Sequence, residues 1–479
     1  MILMKKNILL PAFIAGAVLS AITGFADNGE AHIAKYRNGV PGDKTIAAAK
    51  KLNIKIPVMC REWHVWWGAP HGSYPHMPKW VHWKGQRIFG KFDWNTTIEQ
   101  TRPGSQWRRW LNCVGYPLLG PYDSNQPDII RWQLETAKNA GIECLHLQLW
   151  PSIWDEGKDF APMPIFDIIM ETAAKMKYPV ALHDEIQFRR PPITKAQDLK
   201  NSIIRSTMLL KRYGKHPGWY KINGMPVYYF QNWSKWIKPK DLAVYLKKVE
   251  DEVGPVYWII EMSDNPEYFK IPQIKAIVSH SNGWFLHTPP YGAGPHPWGK
   301  LEVSMKRAAD MARKYGKKFG VQIKNRFNHT HDRGKPESPK IISAEDGMFM
   351  VKSFVVSMKC KPDFIVMAQW NDFEECSFIE PGWDFDGFNG DPYRYCRITA
   401  AMVGKEFVPA PLPKRSELDP FIRQKLFGDM KKGDMGPVFQ KPEVKDNDFS
   451  VKWAKDAQPD KLRFIQKELA VWHPGLSEF

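Results

Sequence analysis

The sequence has no CxxC pair, which removes the usual signature of redox dithiols and structural zinc. No GxGxxG turn follows any strand-like run, and this argues against a dinucleotide fold. Zinc-finger spacing, basic-region heptads and a helix-turn-helix pattern are also missing, so nucleic acid is not expected as a partner. No internal repeat with a period of roughly 20–50 residues occurs, which sets solenoids and propellers aside. Past the first 26 residues no apolar run is long enough to span a bilayer, so stable membrane insertion is not expected. Cysteine is scarce, with six residues (Cys60, Cys113, Cys144, Cys360, Cys376, Cys396) in 479. Their spacing fixes no disulfide pattern, and Cys144 lies in an apolar strand-like run where a plain buried thiol is expected.

Tryptophan and proline are abundant, at 21 and 39 residues. That much tryptophan would over-fill one core, so part of it is expected on a surface or cleft. Flat aromatic faces stack on sugar rings, and the alternative for each indole is packing at the core or rim. The 68 basic against 51 acidic residues give a formal charge of +17. A basic surface favours anionic partners, an acidic polysaccharide among them, or serves solubility alone. Residues 1–26 read as a signal peptide. Lys5 and Lys6 supply the positive start, residues 8–22 are mostly apolar, and Gly24-Phe25-Ala26 offers small residues for cleavage. The expected mature protein starts at Asp27 and is soluble and exported, hence periplasmic or extracellular.

From residue 56 onward, strand-like and helix-like segments alternate. Strands are expected at 56–59 (running on to Trp63), 142–150, 179–184, 226–230, 256–261, 275–280, 318–323 and 364–370. Helices are expected at 127–140, 165–177, 195–214, 239–252, 300–315, 343–358 and 392–403, with a short helical piece between residues 261 and 275; two of the helices are closed by Gly141 and Gly214. Eight such units predict an α/β fold, a (β/α)8 TIM barrel over residues 27–404. Residues 405–479, with Pro409, Pro411 and Pro413 followed by scattered charges, are expected as a C-terminal extension packed on the barrel or partly mobile.

Barrel enzymes carry chemistry at the C-terminal ends of their strands. Those positions hold Trp63 and His64, Trp150, His183-Asp184-Glu185, Gln231-Asn232, Glu261, His280, Asn325, and Asn371-Asp372. The last strand runs into Trp370-Asn371-Asp372-Phe373-Glu374-Glu375-Cys376-Ser377-Phe378-Ile379-Glu380-Pro381, with four acids in nine residues. Acids gather beside a buried strand when they are paired, bound to metal or used in chemistry. Asp372 and Glu375 lie three apart, close enough to share one side of a turn, and paired carboxylates are what glycosidic bond cleavage requires. Glu380 is read as a brace of the loop. His329 and His331 flank Thr330 at a ligand-like spacing, but short clusters of this kind are common in loops, so no metal or other cofactor is expected.

Several segments resemble, in order, those of the family 99 glycoside hydrolases and their relatives in family 71 and the WbsX-like proteins. Trp63-His64-Val65-Trp66-Trp67-Gly68 is similar to the family's first-strand "YYPWYG", and Val81-His82-Trp83 to the His-Trp that follows. The segment from Pro117 to Ser124 resembles "PLLGYYDS", and Leu182-His183-Asp184-Glu185 resembles "HIEP". His216-Pro217-Gly218-Trp219-Tyr220 through Tyr228 resembles the approach to the fourth strand, and Asn371 to Pro381 resembles "NEWHEGTQIEP". The chain departs from the pattern at Asp372 (usually Glu), Glu374 (usually His), Cys376 (usually Gly) and across residues 322–332.

The resemblance implies a glycoside hydrolase acting on a carbohydrate polymer or oligosaccharide. Asp372 would assist the substrate's own 2-hydroxyl, or activate water in an inverting route, and Glu375 would be the general acid/base. It implies sugar contacts for Trp63, His64, Trp66, Tyr122, Trp150, His183, Glu185 and Asn371. A non-catalytic glycan-binding barrel is the competing reading, and a role in glycan assembly fits poorly with an export signal.

Overall fold

The computed structural model describes residues 39, 42–64, 115–120, 122, 124, 126–149, 164–185, 195–231, 237–262, 272–286, 298–328, 341–342, 344–383 and 391–413. Eight strands form a closed parallel barrel. They are β1 (Val58–Trp63), β2 (Cys144–Leu149), β3 (Val180–Glu185), β4 (Met225–Gln231), β5 (Tyr257–Glu261), β6 (Gly283–Leu286), β7 (Lys318–Lys324) and β8 (Phe364–Ala368). Each pairs in parallel with its neighbour in sequence, β1 pairs with β8, and no sheet edge is left in the ring. Helix α1 (Lys44–Lys50) precedes the barrel. Among the described residues an α-helix then follows each strand: α2 (Pro127–Asn139), α3 (Pro164–Met176), α4 (Lys195–Tyr213), α5 (Pro239–Val253), α6 (Pro272–His280), α7 (Trp298–Lys314), α8 (Met348–Met358) and α9 (Arg394–Met402).

Local chemistry sets the helix ends. The Asp43 carboxylate accepts the Thr45 and Ile46 N–H groups at 2.9 and 3.0 Å, capping α1. Pro127 and Pro239 stand in the first turns of α2 and α5, where a missing N–H costs nothing. Strand residues alternate between two apolar layers. Leu145, Leu147, Leu182, Phe230, Trp258, Ile365 and Met367 face the helices, whereas Met59, Cys144, Ala181, Tyr229, Ile259, Phe285 and Val366 fill the barrel. The five described cysteines are buried free thiols. No helix of the described residues is long and apolar enough to cross a membrane.

One expected strand is a helix. Residues 275–280 belong to α6, and the sixth strand is Gly283–Leu286. Ile274 and Ile277 are buried at helical spacing behind Pro272, so the β-branched run Ile277-Val278 is the packed side of a short helix. His280 therefore ends a helix outside the barrel, its Nδ1 2.7 Å from the Glu250 carboxylate on α5. The chain beyond α9 packs on through residue 413, with Phe407, Ala410 and Leu412 buried. Residues 1–26, expected as a signal peptide, and residues 414–479 lie outside the described residues.

Candidate active site

Reading every second residue up the inside of the barrel gives a change from apolar to polar. On β2 the series is Cys144, His146, Gln148; on β3 it is Ala181, His183, Glu185. Strand β7 gives Gly320, Gln322, Lys324, while β4 and β5 end in Gln231 and Glu261, and β1 adds Arg61 above Met59. Such a series is stable only if the polar end meets ligand or solvent or is paired. His146 stacks on Tyr229 with ring centroids 3.8 Å apart, and His183 faces Tyr229 and Phe285 at 5.9 and 6.1 Å. Burial, together with nearby His183 and Arg61, pushes the His146 pKa well below the ordinary imidazole value. One turn higher, Gln148 donates to the Glu185 carboxylate at 3.0 Å.

The segment after β8 closes over this polar end. The Trp370 N–H donates to the Arg61 carbonyl at 2.8 Å, tying the segment to β1. The Gln369 N–H donates to the Ser377 carbonyl at 2.7 Å, so residues 370–376 form a tight loop. Within it the Glu375 N–H donates to Asp372 Oδ1 at 2.8 Å. The two candidate carboxylates thus sit on one turn, with side chains 11% and 15% exposed. The other oxygen of Asp372 lies 3.7 Å from His64 Nε2. Glu375 meets the ammonium of Lys324, which reaches it from β7 at 3.3 Å and is itself 1% exposed. Cys376 has φ 52°, the left-handed region that glycine occupies most easily, so the turn keeps a glycine-type backbone although the residue is cysteine.

Asn371 fixes the facing chain. Its Oδ1 accepts the His64 N–H at 2.7 Å, and its Nδ2 donates to the His64 carbonyl at 3.1 Å and to the Tyr122 hydroxyl at 2.8 Å. Behind it, Gln133 of α2 and the Tyr122 hydroxyl both donate to Glu380 Oε2, at 2.8 and 3.0 Å. Complete burial pushes the Glu380 pKa up to about 8 against its ordinary 4.5, although these donors oppose the shift. Gly382–Trp383 pairs antiparallel with Tyr116–Pro117, which holds the chain after β8 against the chain after β1.

Residues 59–252 match the Glycosyl hydrolase family 99 model. Over those residues the chain is similar to family 99. It is 23% identical over 192 residues to a mouse glycoprotein endo-α-1,2-mannosidase, covering 38% of this chain and 39% of that protein. It is 25% identical over 204 residues to the rat glycoprotein endo-α-1,2-mannosidase, covering 41% and 42%. The chain thus spans about two-fifths of the length of these curated relatives. The family 99 endo-α-mannosidase structure from Bacteroides thetaiotaomicron is similar with a TM-score of 0.54 at 18% identity, covering 72% of this chain and 96% of that one. That likeness is one of fold, a (β/α)8 barrel. Asp372 and Glu375 lie beyond the residues that the family model matches.

The structure places the expected site residues as follows. Asp372, Glu375, His64 and Glu185 reach the polar mouth. Asn371 and Tyr122 stand behind it as braces, buried and fully engaged with other groups. Trp63 is corrected from a sugar platform to a core residue: it is 1% exposed, and its indole N–H donates to Gln133 Oε1 at 2.9 Å. A bulge in the β1–β2 register between Cys60 and Trp63 turns its side chain toward α2, where period-two reading would have placed it inward. His183 is also corrected in position, since it lies fully buried one layer below the mouth.

Trp66, Trp150, Asn232 and the His329–His331 pair lie outside the described residues. Asp184, beside His183, faces outward and meets Arg205 of α4 at 3.0 and 3.1 Å. Among the described residues no cluster of metal-ligating side chains occurs. Lys324, Gln148 and Arg61 are absent from the sequence-based set. Counting by twos from a buried strand residue (Met59, Cys144 or Gly320) would have found all three.

Proposed function

We propose that this protein is a glycoside hydrolase that cleaves O-glycosidic bonds in a carbohydrate polymer or oligosaccharide, with α-mannosidic chains its first candidate substrates. The observation that carries the reading is the Asp372–Glu375 turn at the C-terminal mouth of a family 99-like barrel. Glu375 acts as the general acid/base and gives its proton to the leaving oxygen. Asp372 takes the proton of the substrate's 2-hydroxyl, which then attacks the anomeric carbon as the leaving bond breaks. In the second half water attacks the anomeric carbon and gives its proton to Glu375. The bond from that carbon to the 2-oxygen breaks as Asp372 returns its proton to that oxygen. An inverting route, in which Asp372 activates water directly, uses the same two groups. Aspartate is one methylene shorter than the family's usual glutamate, so the sugar must approach this turn more closely.

Residues 1–26 would direct export, which intact-mass measurement of the secreted protein tests through a new N-terminus at Asp27. The +17 charge favours an anionic polysaccharide, whose cleavage should then weaken steeply with added salt.

The deciding assay incubates the protein with yeast α-mannan and with sulfated and uronate-rich polysaccharides, reading new reducing ends. Cleavage by the native chain should drop by about 10²–10⁴-fold in Glu375→Gln. Retention of a glycan by both chains with no new reducing ends would refute the hydrolase in favour of a glycan-binding barrel.

A further inference from the structure

We propose that Glu380 is a positioning residue that sets the Asp372–His64 side of the site through a buried relay of Gln133, Tyr122 and Asn371. The relay is continuous. Glu380 Oε2 accepts from Gln133 Nε2 at 2.8 Å and from the Tyr122 hydroxyl at 3.0 Å. Gln133 Nε2 also lies 3.0 Å from the Tyr122 oxygen, while Gln133 Oε1 accepts the Trp63 indole N–H at 2.9 Å. The Tyr122 hydroxyl has one proton. With that proton given to Glu380, its oxygen is left to accept Asn371 Nδ2 at 2.8 Å. Asn371 then holds both the N–H and the carbonyl of His64, whose ring faces Asp372. Three distant stretches of chain, after β1, around residue 122 and after β8, are pinned at one carboxyl group.

A buried acid of this kind acts through its protonation state. Glu380 is 0% exposed, and its Oε1 has no hydrogen-bond partner among the described residues. The titratable groups around it are the Tyr122 hydroxyl and the Cys396 thiol of α9. Gln133 of α2 and Trp370 and Asn371 after β8 complete its surroundings with neutral donors. Burial raises the Glu380, Tyr122 and Cys396 pKa values alike, and that of Glu380 to about 8, so near neutrality the cluster is uncharged. Above that pH the bare carboxylate, buried with no cation beside it among the described residues, draws water to Oε1. It also tightens the Tyr122 and Gln133 hydrogen bonds onto Oε2, which pulls the Tyr122 oxygen away from Asn371 and loosens Asn371.

The inference rests on the hydrolase reading only for its activity readout, so two readouts that need no substrate accompany it. In the native full chain, infrared spectra should contain the C=O stretch of a protonated carboxylic acid that fades as pH passes about 8, and Glu380→Gln should lack it. Near-ultraviolet circular dichroism, sensitive to Tyr122, Trp63 and Trp370, should change in the native chain over the same pH range and stay flat in Glu380→Gln.

On yeast α-mannan, Glu380→Gln should keep kcat within about threefold and lose the alkaline fall. Glu380→Ala should lower kcat about 100-fold with little change in KM. An infrared band that is absent, or that persists in Glu380→Gln, would overturn the proposal. So would an identical dichroism titration in the two chains, or native kcat in Glu380→Ala. If no glycan is cleaved, the hydrolase reading fails, while the spectroscopic pair still decides the role of Glu380.

Discussion

Single residues here matter through what burial does to their protons. Glu380 keeps its proton in the folded chain up to about pH 8, whereas an unfolded glutamate loses it near 4.5. Between those values the folded chain binds more protons than the unfolded one, so stability declines as pH rises through this window and levels off above it. The upper bound of the effect is on the order of 3–5 kcal/mol. Urea unfolding at a series of pH values should therefore give a slope that Glu380→Gln abolishes, and parallel slopes would contradict the assignment.

His146 acts with the opposite slope, because its pKa is depressed and the unfolded chain takes up a proton that the folded one refuses. Its contribution falls away below about pH 6.5, so the two groups tilt the stability curve from opposite sides. At this scale the sequence was readable where spacing alone decides geometry. Asp372 and Glu375 are three apart and share a turn, as expected. It was unreadable for Trp63, whose orientation depends on a register shift between two strands distant in sequence.

At the scale of elements, the alternation of strand and helix carried nearly the whole barrel, because apolar runs bounded by turn residues are a local property. The failure at 275–280 has a physical cause. Nine residues are too few for helical periodicity to outweigh the β-branched Ile277 and Val278, and only the fit of Ile274 and Ile277 against the barrel selects helix. Close approach between elements is equally invisible in sequence, and Gly320 on β7 is a case. A Cβ there would overlap the ring of Phe364 on β8, which fills the floor of the barrel. Gly320→Ala should therefore cost about 1–3 kcal/mol through overpacking. Combining it with Phe364→Leu should recover part of that loss, a coupling that a double-mutant cycle by chemical denaturation measures. Strict additivity of the two changes would mean that the contact does not constrain the floor.

For the whole molecule, the closed ring explains why the polar mouth could be anticipated more readily than its supports. Parallel closure puts every strand's C-terminal end at one mouth, so residues from β1, β2, β3, β7 and the turn after β8 converge without being near in sequence. The braces come from outside that ring, from α2 and from the segment around Tyr122, and no spacing in the chain announces them.

The same holds for the stretch after α9, which composition marked as an extension from residue 405. Residues 405–413 pack against the barrel. Phe407 is buried with Arg397 stacked over its ring at 5.6 Å, Ala410 and Leu412 are buried, and the Val408 carbonyl accepts from Asn139 of α2 at 2.9 Å. Removing two large buried side chains and that bond exposes the outer ends of α2 and α9 together, at about 1.5–3 kcal/mol for each large side chain. A chain ended after residue 413 should accordingly be more stable than one ended after residue 404, by about 4 kcal/mol. Because the loss falls on the helices that carry Gln133 and Cys396, the shorter chain should also lose the near-ultraviolet signal of the Tyr122–Trp63 cluster before it loses far-ultraviolet helix signal. Coincident loss of both signals, at an unfolding midpoint equal to that of the longer chain, would show that the stretch only lies against the barrel without stabilising it.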